Sequence, residues 1–216
     1  MRCSLPVVAR RPKKSTQRPT RVEKTQDTYD RLLAAAESVV GQEGYAAASI
    51  SKIAAKTGVA QGTFYNYFET RQDLFDVLLP HVGQKMLDYI SSAIDHHSAG
   101  SAREEARFQA FCDYLSDNSG FYRILYEAEV HAPEAHKIHI DRLVAGFRRS
   151  LDRSVERGEI KGYSKEELEA VIYMFLGARA YVAMRYIRGG GSKRKAGRDQ
   201  AISAYVKLVS GGLFSS

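Results

Sequence analysis

Apolar positions recur along the chain three and four residues apart and nowhere alternate with a period of two, which predicts an all-α protein. From Tyr29 to Gln42, Leu32, Leu33, Ala36, Val39 and Val40 make one continuous face, with Asp27 as the expected cap and Gly44 as the stop. A second helix follows Ser49, a side chain suited to the N-cap, with Ile50, Ile53 and Ala54 facing inward. Gly58 should end it, because a sharp exit needs the left-handed backbone that glycine adopts without strain. Phe64 and Phe68 then give a third short helix its buried stripe. Gln61, Thr63, Tyr65, Asn66 and Tyr67 remain on its outer side, polar or amphipathic and uncharged. Two short helices joined by a glycine-containing turn, the second with such a face, form a helix-turn-helix pattern.

A longer helix is predicted from Thr70, whose hydroxyl with Asp73 three residues on resembles a capping box. Leu74, Phe75, Leu78, Leu79, Val82, Met86, Leu87 and Ile90 carry its inner face, and Pro80 should kink or divide it. As the covalent link to the rest of the chain, it is the expected path of any signal. Further helices are predicted at Ala102–Ser116, Phe121–Val130, Glu134–Arg157, Lys165–Arg188 and Asp199–Val209. The breaks carry turn chemistry: Ser98–Gly100, Asn118–Gly120, Pro133, Gly158–Gly162 and Gly189–Gly191. Lys193, Arg194 and Lys195 read as a basic, solvated loop.

Composition changes little, since 44% hydrophobic and 26% charged residues over 216 positions describe an ordinary globular protein. Charge changes more. Residues 1–24 hold eight basic side chains against Glu23, which accounts for the whole net charge of +7. This basic arm should be disordered without a partner. Two readings stand: phosphate or minor-groove contacts beside the reader, or a solubilising tail. Cys3 and Cys112, one in the arm and one on a helix, suggest no disulfide and fit a reducing cytoplasm. No apolar run is expected to reach the roughly 18 residues of a membrane span.

The run RLLAAAESVV from Arg31 and the run GYAAASISKIAAKTGVAQGTFYNYFETRQDLF from Gly44 resemble the TetR family of bacterial transcriptional repressors. The likeness rests on the Gly-Tyr after the first helix, Ile-Ala before Gly-Val, Gly-Thr-Phe-Tyr, Tyr-Phe, and a basic residue before an acid-Leu helix start. It covers about one fifth of the chain. The resemblance implies a homodimer of Ω-shaped subunits, each with a DNA reader (25–70) and a helical effector-binding and dimerisation domain (71–216). It places DNA contacts on Gln61, Gly62, Thr63, Tyr65, Tyr67 and Arg71, with others near Ser49, Ser51 and Lys52. Arg71 stands where the family usually has Lys, and Ser51 and Ala60 lack the long side chains that reach bases. Asn66 adds an amide able, like Gln61, to recognise adenine.

In the second half, Val171–Met184 is apolar on nearly all sides, with Gly177, Ala178, Ala180 and Ala183 permitting close helix approach. With Ile202, Tyr205, Val206 and Val209 it is the expected dimer surface. Arg179 inside that helix must find a carboxylate, a carbonyl or an anionic ligand, either across the dimer or on an effector. Tyr114, Phe121, Tyr122, Tyr126 and Tyr173 are candidates for an effector pocket, against the plainer reading as core. His131, His136 and His139 with Glu134 lack metal-site spacing, so no metal is expected. No enzyme or cofactor motif is present. The expected function is a ligand-responsive repressor released from a palindromic operator by a small-molecule effector, such as an acyl-coenzyme A or an aromatic acid. An effector-independent architectural DNA-binding protein is the alternative.

Overall fold

The computed structural model describes residues 21–94, 100–187 and 192–211, apart from the side chains of Arg21 and residues 192–195. The basic arm up to residue 20, Cys3, Ser98 and Gly189–Gly191 lie outside the described residues. Within them the chain is all-helical: α1 Arg21–Glu43, α2 Ile50–Thr57, α3 Gln61–Phe64, α4 Arg71–Ser92, α5 Gly100–Asp117, α6 Ser119–His131, α7 Pro133–Glu156, α8 Lys165–Val182, and α9 Ser192–Gly211. A π-helical turn, Ala183–Ile187, prolongs α8.

Local chemistry sets most boundaries. The Ser49 side chain accepts from the Lys52 backbone N–H, and Gly58 leaves α2 at φ 76°. Thr70 and Asp73 form a complete capping box at the start of α4, as Ser164 and Glu167 do for α8. Pro133 occupies the first turn of α7, where its missing N–H costs nothing.

Four expectations change. Helix α1 begins at Arg21, so Asp27 lies inside it rather than capping it; there it approaches Arg31 at 3.7 Å, a pairing available only between residues one turn apart. Helix α4 runs through Pro80 as one element, so the proline does not divide it; the α7 residue Arg142 donates to the Pro80 carbonyl at 3.2 Å. Lys193, Arg194 and Lys195 belong to the first turn of α9, not to a loop. Lys165–Ile187 is long and apolar enough to cross a membrane, with mean hydropathy 1.2, because charges are confined to its ends and to Arg179.

A single buried cluster joins α1–α4 to α5 and α6. It runs from Leu32, Val39, Ile53 and Phe64 through Leu74 and Leu78 to Phe108 and Ile124. A smaller one, Phe147, Leu151, Leu168 and Ile172, holds α7 to α8. The three-helix reader therefore shares its core with α4. A second connection bypasses α4: α1 lies on α6 with Gly41 facing Gly120, and Glu127 of α6 accepts from the Tyr45 N–H at 2.9 Å.

Candidate nucleic-acid interface and internal cavity

The third helix has one inward and one outward side. Phe64 and Phe68 are buried and in contact, with ring centres 5.5 Å apart. Anchored by them, Gln61, Gly62, Tyr65 and Asn66 are exposed, and Thr63 is half-buried. Tyr65 is 51% exposed. Nothing lies within 4 Å of where a Cβ on Gly62 would stand, so a flat surface could meet the backbone there. The regular helix is shorter than its pattern suggests. It ends at Phe64, and tight turns closed by Asn66 N–H to Thr63 and Tyr67 N–H to Phe64 carry the chain to Phe68.

Tyr67 is half-buried and packs toward Tyr29, with ring centres 6.5 Å apart. It contributes to the small domain's packing, which its outward position in the pattern concealed. Ser49 and Ser51 are 2.9 Å apart through their hydroxyls at the start of α2. Lys52 donates to Glu43 at 2.5 Å and to the Ala47 carbonyl at 3.0 Å. Arg71 donates to the Ala48 carbonyl at 3.4 Å and lies over the Phe75 ring. Both cations are exposed but already oriented by their own chain.

The second half holds a cavity of about 870 Å³, partly open to solvent, between α4, α5, α6, α7 and α8. Tyr122, Tyr126, Tyr173 and Arg179 line it. Tyr114 and Phe121 do not. They pack edge to face, 5.5 Å apart, and both are buried in the main cluster; the sequence cannot distinguish a core aromatic from a wall aromatic on the same helix face. Burial pushes the Tyr114 hydroxyl up to about 12.

Arg179 is 5% exposed, and it finds its acid within its own chain rather than across a dimer. It donates to Glu104 at 2.5 Å and to the Tyr205 hydroxyl at 3.3 Å, while Tyr205 donates to the same Glu104 oxygen at 2.6 Å. Its guanidinium also sits over the Phe147 ring, 4.7 Å from the centre. The partner is invisible in sequence because it lies on a helix 75 positions away.

The histidines separate. His131 stacks on Tyr45, His136 lines the cavity, and His139 is buried against Gly83. Neither ring nitrogen of His139 has a hydrogen-bond partner among the described residues, and burial pushes its pKa down to about 4. Among the described residues no group of His, Cys, Asp and Glu could hold a metal ion.

A helix-turn-helix with an exposed second helix, joined to an all-helical half around a cavity, defines the class of DNA-binding transcriptional regulators. Residues 32–78 match the profile of bacterial regulatory proteins of the tetR family. Through these residues the chain is similar to the TetR family of transcriptional regulators. It is similar to the transcriptional repressor KstR2 of Rhodococcus jostii, at 24% identity over 191 residues, covering 85% of this chain and 90% of that protein. The fold matches that of the fatty acid degradation regulator FadR of Bacillus halodurans, with a TM-score of 0.70 at 20% identity, over 88% of this chain and 97% of that one. It also matches the Bacillus subtilis regulator FadR in complex with stearoyl-CoA, with a TM-score of 0.70 at 17% identity, over 86% and 100% of the two chains.

Proposed function

We propose that the chain is a ligand-responsive repressor acting in the cytoplasm as a homodimer on a palindromic operator. Residues 25–70 would be the reader and 71–216 the effector-binding and dimerisation domain. Gln61 and Asn66 would read bases, while Gly62, Thr63, Tyr65 and Arg71 fix the register on phosphates, with Ser49, Ser51 and Lys52 at the flank. Tyr67 would support this face from beneath. The single observation that carries the reading is the cavity, because α4 forms its wall and begins at the reader. An architectural DNA-binding protein has no use for such a space.

The dimer reading is supported by apolar side chains left outside. Tyr173, Met174, Tyr181 and Met184 on the α8 rod and Leu208 on α9 are all exposed. A second copy burying them would also account for the span-like hydropathy of α8. Two readers on a two-fold axis suit half-sites about one helical turn apart.

Six arginines and two carboxylates line the cavity, so its effector would be an apolar molecule with an anionic end. Acyl-coenzyme A thioesters and aromatic acids belong to that class, and the Bacillus subtilis FadR structure contains stearoyl-CoA. Tyr122, Tyr126, Tyr173 and Arg179 would form part of its surroundings. Binding releases DNA only if the effector favours the state with mismatched reader spacing, since equal affinity for both states shifts nothing. Gel-shift titration with genomic fragments at two salt concentrations tests the reading. A salt-sensitive, sequence-preferring complex is expected, and binding without preference over random DNA would overturn it.

A further inference from the structure

The cavity is charged at one end and aromatic at the other. Helix α7 lines it throughout and rises about 1.5 Å per residue, so His139 and Arg153 stand about 21 Å apart along it. Helix α6 turns into α7 at Ala132 and covers its first turns, bringing Tyr122, Leu125 and Tyr126 to the His139 end. At the far end, Arg107 of α5 donates to Ser150 at 3.0 Å and Arg103 donates to Ser154 at 3.3 Å.

Positive charge exceeds negative at this far end. Glu104 is saturated: one oxygen accepts from Arg179 and Tyr205, the other from Arg107 at 3.0 Å. Glu159 is shared by Arg103 at 3.2 Å and Arg157 at 4.0 Å. Arg103, Arg107 and Arg179 therefore face two carboxylates, and the exposed Arg149 and Arg153 add to the excess. Neither Asp88 nor Glu129, the acids of the lining, forms an ion pair with these arginines. Asp88 on α4 is exposed and bonded to Gln84 at 2.9 Å, and Glu129 is on the last turns of α6, toward the aromatic end. Three buried or partly buried cations sharing two carboxylates leave a positive excess, which favours an anion brought in by a ligand.

We propose that this end binds the carboxylate of a long-chain, single-headed amphiphile, with Arg107 and Arg103 as its contacts and the tail running toward Tyr126. Arg179, through Glu104, is a positioning residue that holds the Arg107 fork in place. The assignment rests on the cavity being the effector site and narrows its ligand to free acids. Arg103 is 5% exposed and Arg107 is packed over the Phe147 ring at 5.3 Å. A planar two-oxygen group fits such guanidinium forks, and their burial favours a compact head over a nucleotide-bearing one.

Calorimetric titration of the full chain with tetradecanoate, tetradecan-1-ol and tetradecanoyl-coenzyme A tests this, using wild type, R107M, R107K and an R149Q/R153Q variant. The carboxylate should bind at least about tenfold more tightly than the alcohol. R107M should remove that preference, R107K should keep part of it, and R149Q/R153Q should weaken it less than R107M does. The wild-type comparison stands even if R107M does not fold. Equal binding of acid and alcohol, binding of the thioester alone, or loss of preference only in R149Q/R153Q overturns the carboxylate assignment while leaving the cavity an effector site. If none of the three probes binds, the assignment and the effector reading beneath it fall together.

Discussion

Arg179 of α8 and Glu104 of α5 stand 2.5 Å apart, each less than one-tenth exposed, and close the chain's second half across 75 positions of sequence. Removing one member leaves the other buried without compensation. R179M is expected to lower stability by about 3–5 kcal/mol. E104Q should cost at least as much, because it abandons Arg179 and Arg107 together. Urea unfolding of the singles and the double checks this, and the losses should be far from additive since the three groups share one network.

A close fit between Gly83 and His139 carries a second expectation. A Cβ on Gly83 would lie 2.3 Å from Nδ1 of His139. Alanine is the better helix former by about 1 kcal/mol, yet here the ring or α7 must move, and overpacking costs about 1–3 kcal/mol. G83A should therefore be destabilised, and adding H139A should relieve part of the loss. Additive losses in that double-mutant cycle would show that the ring does not press on α4.

The same histidine sets a pH dependence. Burial, with His136 and Arg142 nearby, lowers its pKa to about 4 from the ordinary 6.5. Between those values the unfolded chain binds the proton and the folded chain does not. Stability from this group is thus unaffected above about pH 6.5 and falls as pH drops toward 4, by up to about 3 kcal/mol. H139L should flatten that limb when unfolding free energy is measured from pH 7 to 4.

Tyr65 and Tyr67, two residues apart, should behave differently. Y65A, at an exposed ring, should leave the melting temperature nearly unchanged and weaken binding to all DNA sequences, whereas Q61A should change sequence preference. Y67A should lose stability first, because that ring packs toward Tyr29. G62A fills open space in the free protein, so its fold should tolerate it while DNA affinity falls by tenfold or more if the backbone meets the duplex. Melting curves and gel shifts on the same samples separate these cases.

The contrast shows which links were legible in sequence. Caps and turns are local, so Ser49, Gly58, Thr70 and Asp73 announced their roles, and the Phe64–Phe68 spacing fixed the reader's inner side. Long-range pairings were not legible. Nothing near Arg179 points to Glu104, and nothing near Tyr114 separates a core ring from a cavity wall. Tyr67 and His139 were hidden for the same reason: a neighbouring helix, not their own, decides their burial. The early start of α1 escaped because Val22 and its neighbours are exposed, leaving no apolar stripe to mark the first two turns.

The approach of α1 to α6 yields the last expectation. A Cβ on Gly120 would lie 3.0 Å from the Gly41 Cα, and one on Gly41 would lie 2.9 Å from the Gly120 Cα. Backbone cannot rotate aside as a side chain can, so any larger residue must push the helices apart. Helix α6 carries Tyr122 and Tyr126 of the cavity wall, and α1 packs the reader, so this crossing ties cavity to reader independently of α4. G120A should cost about 1–3 kcal/mol, and G120V more. Both should also alter DNA affinity without touching any residue on the DNA-facing side. Stability loss with unchanged operator affinity, measured by denaturation and gel shift in parallel, would show that the crossing only packs and that α4 alone connects the two halves.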